Sequence, residues 1–158
     1  MNILVLCTGN SPRSILLESI LNQNGKGRVI AYSAGSNPTG KVHPQSLTLL
    51  SAEGHDTSNA RSKSWDEFAA TDAPEMDMVI TVCGSAAEET CPVWPGAPVR
   101  VHWGVEDPAA AAQPKWNSAF LTAYEILGRR ANALLDLPIE TMNASELSAQ
   151  LKRIGDIQ

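Results

Sequence analysis

The chain has 158 residues, 43% hydrophobic and 18% charged, with a formal net charge of −5. That balance belongs to an ordinary folded protein rather than a disordered one, and the length suits a single domain over residues 1–158. The acidic sign excludes non-specific nucleic-acid binding, which needs a basic excess to neutralise phosphates, and obliges any anion site to supply its own positive field.

Residues 2–6 (Asn-Ile-Leu-Val-Leu) form a continuous apolar run, the pattern of a parallel strand buried on both faces. From Arg13 the spacing turns helical, with Ile15, Leu16, Leu17, Ile20 and Leu21 making a stripe that Asn24-Gly25 ends. Val29 to Ser33 reads as a second strand, Thr39 to Pro44 as a loop, and Gln45 to Glu53 as a helix stopped by Gly54. Ser64 to Ala70 predicts a short helix, Met76 to Val82 the third strand, and Val99 to His102 the fourth. Between those two strands lies a Pro-rich loop with helical character at Ala86 to Glu89. Trp116 to Leu135 is the longest periodic helix, and Ala144 to Ile154 the last. Strands alternating with helices predict an α/β fold: a four-stranded parallel sheet in a three-layer αβα arrangement.

The apolar run at the N-terminus is too short for a signal-peptide core and has no basic leader. Charges or prolines interrupt every run before it reaches the length of a membrane span. A cytoplasmic protein without membrane contact is therefore expected, and a monomer is the default. In that compartment three cysteines suit catalytic or redox use better than a structural disulfide framework. The odd number fits one nucleophile plus an exchanging pair.

The segment Cys7-Thr8-Gly9-Asn10-Ser11-Pro12-Arg13-Ser14 falls where the first strand ends and a helix begins, the edge at which open α/β sheets bind ligands. Thr8, Gly9, Asn10, Ser11 and Pro12 are small or turn-forming, so their backbone can curl into an anion cradle. The helix that follows adds the positive end of its dipole. Arg13 offers a planar fork matched to two oxyanion oxygens. The same field should lower the Cys7 pKa well below the free value of ~8.5, with the Ser14 hydroxyl as a further donor to the sulfur. A thiolate beneath a tetrahedral oxyanion is a nucleophile set for in-line attack.

Cys7 to Ser14 resembles the phosphate-binding loop of the low-molecular-weight protein tyrosine phosphatases and of the arsenate reductases that share their fold. The resemblance runs from Asn2 to about Leu137 and takes in Ser33-Ala34-Gly35 and Asp107-Pro108. It implies that Asp107 is the general acid, a role that requires a carboxyl group on a loop opposite the nucleophile. The string His102-Trp103-Gly104-Val105-Glu106 before it is similar to the reductase branch in particular. Pro12 departs from the Ala or Cys common at that place and removes one N–H from the loop.

The two branches of the family part at the remaining cysteines. Cys83 follows the third strand, and Cys91 lies eight residues on in a loop. The reductase reading gives them a relay: Cys7 forms an adduct with arsenate, Cys83 attacks Cys7 and arsenite leaves, then Cys91 resolves the disulfide. Phosphate and sulfate would bind as analogues. No bound cofactor is implied, only an external thiol reductant, thioredoxin in preference to glutaredoxin with glutathione. The alternative is a phosphatase using Cys7, Arg13 and Asp107. The two tyrosines, Tyr32 and Tyr124, are both remote from Asp107 in sequence, whereas phosphatases of the family carry tyrosines at the mouth of the site.

His43, His55 and His102 show no metal-ligand spacing. Some family members hold potassium through residues matching Asn10, Glu18 and Ser33, and here Lys63 stands where a further carboxylate is expected. Its ammonium is predicted to take the place of the ion.

Overall fold

The computed structural model describes residues 1–88, 94, 96 and 98–158. Four strands, β1 (Asn2–Leu6), β2 (Ile30–Ala34), β3 (Met78–Thr81) and β4 (Val99–His102), form one sheet in the order β2-β1-β3-β4. All three pairings are parallel. The helices are α1 (Arg13–Asn24), α2 (Pro44–Ala52), α3 (Gly84–Glu88), α4 (Trp116–Leu135) and α5 (Ala144–Ile154).

The alternation of β1 explains why its run is apolar throughout. Ile3, Val5 and Cys7 face a core shared with α1, α4 and α5, which contribute Leu16, Ile20, Leu127, Leu134, Leu147 and Leu151. Leu4 and Leu6 point the other way, into a second cluster with Val79, Met76, Phe68 and Trp94. A strand buried on both faces has no position for a polar side chain.

Local signals set the ends of the elements. The α5 terminus carries a capping box, in which Asn143 accepts from Glu146 N and the Glu146 carboxylate accepts from Asn143 N. His43 Nδ1 accepts from Gln45 N at 3.1 Å, so α2 begins one residue earlier than its apolar pattern, at Pro44 in the first turn. The predicted helix at 64–70 is a 3₁₀ turn, Trp65–Phe68, with the Ser64 hydroxyl accepting from Asp66 N. Single-turn 3₁₀ pieces carry no periodicity to read, which is also why those at Pro108–Ala110 and Gln113–Lys115 were not legible. β3 is shorter at both ends than its apolar run.

Register carries the consequence for function. Leu6 pairs with Thr81, so the chain leaving β1 and the chain leaving β3 emerge side by side at the same sheet edge. Cys7 and Cys83 are on those two exits.

Candidate active site

The loop between β1 and α1 is held from three sides. Cys7 N donates to Ala34 O at 3.2 Å, Asn37 N to Thr8 O at 3.0 Å, and Thr39 N to Gly9 O at 3.0 Å. The Ser62 hydroxyl also donates to Gly9 O at 3.1 Å. Gly35 is where the β2 exit passes closest. A Cβ there would lie 2.6 Å from Cys7 O and 3.0 Å from Asn10 N, and closer still to Thr8 O. Only glycine fits such an approach, which is the physical content of Ser33-Ala34-Gly35.

Asn10 holds the curl itself. Its φ of 44° is left-handed, a conformation that asparagine tolerates better than most residues. Its side chain is fully buried. Asn10 Nδ2 donates to Ser14 Oγ at 2.9 Å, and its Oδ1 accepts from Lys63 N at 2.8 Å. Ser14, having accepted there, keeps its hydroxyl proton for donation elsewhere. Ser11 and Pro12 complete the buried wall of the loop. α1 starts behind Pro12 with no side-chain cap and no acidic residue in its first turn, so nothing of its own competes for the positive helix end.

Arg13 crosses the mouth of the loop. Its Nη1 donates to Val105 O at 2.9 Å, and Nη2 lies 3.7 Å from Asp107 Oδ2. Its Nε is buried without a hydrogen-bond partner among the described residues; an oxyanion in the cradle would satisfy that donor. Asp107 caps the turn after it, accepting from Ala109 N at 3.0 Å, and keeps 41% of its side chain exposed. The structure thus brings Cys7, Arg13, Ser14 and Asp107 together from two separated loops. Tyr32 instead stacks on Phe68, and the Tyr124 hydroxyl bonds His55 Nε2 at 2.7 Å. His102 Nδ1 is within 2.8 Å of Thr81 Oγ1.

Cys83 reaches the loop itself. Thr8 N donates to Cys83 Sγ at 3.3 Å, and Cys7 and Cys83 are hydrogen-bonded side chain to side chain. Both are buried and reduced. This pairing corrects the expectation for Cys7. Its hydrogen bond to Cys83, then burial, push the Cys7 thiol up from its ordinary value, and Arg13 and the Gly9 N–H only partly offset them. The same bond pulls Cys83 down to about 5, helped by the Thr8 and Ala86 N–H groups. The bond between the two sulfurs thus favours the thiol at Cys7 and the thiolate at Cys83. Sequence spacing could not show this, because it depends on two sulfurs meeting across the β1–β3 edge. Cys91 lies outside the described residues.

Beneath the loop, Lys63 Nζ sits 3.4 Å from Ser33 Oγ and 3.9 Å from Glu18 Oε1. Ser33 also donates to the Glu18 carboxylate. Burial raises the Glu18 pKa and lowers that of Lys63, each offset in part by the other's charge. Residues matching a potassium site therefore do not fit the ion, because a tethered ammonium shares their space, and the Asn10 oxygen is taken by Lys63 N–H. No group of three or more His, Cys, Asp or Glu side chains able to hold a metal occurs among the described residues. Exchanging sodium for potassium at constant ionic strength should change turnover by less than about twofold and leave the melting temperature unmoved, because an ion that gains no site adds no linkage. A several-fold rise in turnover with potassium would contradict the placement of Lys63.

Residues 2–147 match the family described as low molecular weight phosphotyrosine protein phosphatase. The chain is 38% identical over 128 residues to an arsenate reductase of Bacillus subtilis, covering 79% of this chain and 88% of that one. An arsenate reductase of Halalkalibacterium halodurans is 36% identical over 128 residues, with the same coverage of 79% and 88%. Among solved structures, an arsenate reductase in the phosphate-binding state superposes with a TM-score of 0.69 at 26% identity, over 85% of this chain and 95% of that one. A thioredoxin-dependent arsenate reductase of Corynebacterium glutamicum gives 0.62 at 27% identity, over 84% of this chain but only 59% of its own, longer chain.

Proposed function

The chain belongs to the low molecular weight phosphotyrosine protein phosphatase family, and from that premise we propose that it reduces arsenate to arsenite through Cys7, Cys83 and Cys91. The observation that carries the reading is the contact of Cys83 with both Cys7 and the cradle N–H of Thr8. Phosphate-ester cleavage needs one sulfur at this place, whereas arsenate reduction needs a second thiol beside it to attack the Cys7 sulfur. The named relatives, arsenate reductases at 36% and 38% identity, support the same branch.

The chemistry follows from the geometry. Arsenate enters the loop of Thr8 to Arg13 and takes up the N–H groups and the Arg13 fork. It displaces Cys83 from Thr8 N, and Cys7, released from its bond to Cys83, passes its proton to an oxygen of the bound arsenate, its thiolate favoured by Arg13 and Gly9 N–H. Cys7 attacks arsenic, an As–O bond breaks, and Asp107 protonates the departing oxygen, which leaves as water. Cys83 thiolate then attacks the Cys7 sulfur. An S–S bond forms as the S–As bond breaks, and its electron pair stays on arsenic, which departs as arsenite. Cys91 thiolate attacks Cys83 and frees Cys7, leaving a Cys83–Cys91 disulfide for an external dithiol.

Thioredoxin is proposed as that reductant over glutaredoxin with glutathione, because a relay ending in an intramolecular disulfide presents the substrate a dithiol reduces. No helix among the described residues is long and apolar enough to cross a membrane; a cytoplasmic monomer is proposed, in keeping with thiols that must be held reduced.

The deciding experiment is a single turnover. Reduced protein is mixed with arsenate without external reductant, then alkylated and mapped by mass spectrometry. Stoichiometric arsenite with a Cys83–Cys91 disulfide and free Cys7 is expected. Three reduced thiols alongside cleavage of phosphate esters would transfer the reading to the phosphatase.

A further inference from the structure

Arg130 is buried to 1% exposure in α4, and no carboxylate lies in ion-pair contact with it among the described residues. A buried guanidinium is costly unless all its donors are met. Here backbone carbonyls take the Nη1 and Nε donors. Nη1 donates to Trp103 O at 3.0 Å and to Gly104 O at 3.2 Å, and Nε donates to Ile157 O at 2.9 Å.

Those first two carbonyls start the loop that carries the acid. The next residue, Val105, receives Arg13 Nη1 on its carbonyl at 2.9 Å, and Asp107 follows two residues later. The other supports of this loop are few. Trp103 N donates to Thr81 O at 2.7 Å and Val105 N to Val82 O at 3.2 Å, which fixes its edge to the β3 exit. Trp103, fully buried, donates its Nε1 to Leu151 O at 2.9 Å in α5. Among the described residues, only Arg130 ties two successive carbonyls of the loop to a long helix. A carbonyl pair held by one guanidinium fixes the peptide planes at 103 and 104, and so the direction in which the Val105 carbonyl points.

We propose that Arg130 is a positioning residue for the active site: through the Trp103 and Gly104 carbonyls it aims the Val105 carbonyl and Asp107 at Arg13, and so orders the anion-binding fork. It touches no substrate. Its action passes through backbone, and an error of about 1 Å in a reacting group costs on the order of 10²-fold in rate.

The test compares Arg130→Met and Arg130→Lys with the parent and with Arg28→Met. Arg28 is the control, since it also donates to backbone carbonyls, those of Leu135 and Leu137 at the C-terminal end of α4, neither of them in the loop that carries Asp107. Two quantities are read on folded protein at low temperature. One is the dissociation constant of inorganic phosphate, from isothermal titration calorimetry. The other is the rate of the arsenite burst, which rests on the proposed arsenate chemistry, whereas phosphate binding does not. Arg130→Met should weaken phosphate about 10-fold and slow the burst roughly 30-fold. Arg130→Lys, one ammonium facing three carbonyls, should fall between it and the parent in both. Arg28→Met should lose melting temperature and keep both values within about twofold. If Arg130→Met does not fold, Arg130→Lys decides alone. A folded Arg130 variant with phosphate affinity and burst within about twofold of the parent overturns the proposal. A parent that binds phosphate but yields no arsenite refutes the reductase reading and leaves the phosphate result to decide on Arg130.

Discussion

Replacing Cys7 by serine should abolish arsenite formation and any cleavage of phosphate esters together, by about 10⁴-fold or more. Both reactions begin with attack by the same sulfur, which is 3% exposed under the cradle. A serine hydroxyl there is nearly isosteric, but it stays protonated beside Arg13, since a Cys83 thiolate held at about 5 is far too weak a base to take an alcohol proton. The fold and the anion site should survive. The loop is held by Ala34 O, Gly35 and Asn10, none of which needs the sulfur. The measurement is arsenite released per enzyme, alongside phosphate affinity and melting temperature. Arsenite above about 1% of the parent rate, with phosphate binding intact, would mean that another group is the nucleophile.

Replacing Cys83 by alanine should separate the two chemistries. Arsenite formation should fall at least ~10³-fold, because the thiol–arsenate adduct then has no neighbouring thiolate to break it. Ester cleavage, which needs only Cys7, Arg13 and Asp107, should stay within about threefold. The substitution also changes how Cys7 titrates. In the parent, the hydrogen bond to Cys83 is the largest influence raising the Cys7 pKa, while Cys83 is held at about 5. Removing Cys83 takes away that bond and the repulsion of its charge, and leaves the Arg13 and Gly9 contributions that lower the pKa. The pH profile for alkylation of Cys7 should therefore move toward acid in Cys83→Ala. In the anion-free parent near pH 6, which is above the Cys83 value of about 5, Cys83 should be alkylated before Cys7. Cys83 is a group with a depressed pKa, so the stabilisation its thiolate contributes is complete only above the ordinary thiol value of 9.0, partial at neutral pH, and lost as the pH falls to about 5. An unchanged Cys7 profile in Cys83→Ala would mean that the two sulfurs do not share a proton.

Much of this was legible in the chain itself. The buried strand before Cys7, the stripe Ile15 to Leu21 after it and the small residues between them place an anion loop at a strand–helix turn, because hydrophobic period and turn chemistry are local properties. The same local patterns set the strands, the long helix at Trp116–Leu135 and the last helix at Ala144–Ile154, each within two residues of its observed bounds. Met76 and Val82 extend the apolar run because packing buries them just outside the strand.

Tertiary structure alone decided how the site is charged and held. The expectation that Cys7 carries the thiolate failed because sequence supplies the neighbours of a residue along the chain, Arg13 and the helix end, and not the sulfur arriving from 76 residues away. Lys63 reaches Glu18 and Ser33 only because the bridge of Gly35 to Ser64 brings that segment beneath the loop. Arg130 looks like one more polar residue of an amphipathic helix until the chain folds the Trp103 and Gly104 carbonyls against it. Periodicity along a chain fixes which side chains are hidden. Which polar groups meet once hidden depends on strand order and register, and those are set by packing between elements far apart in sequence.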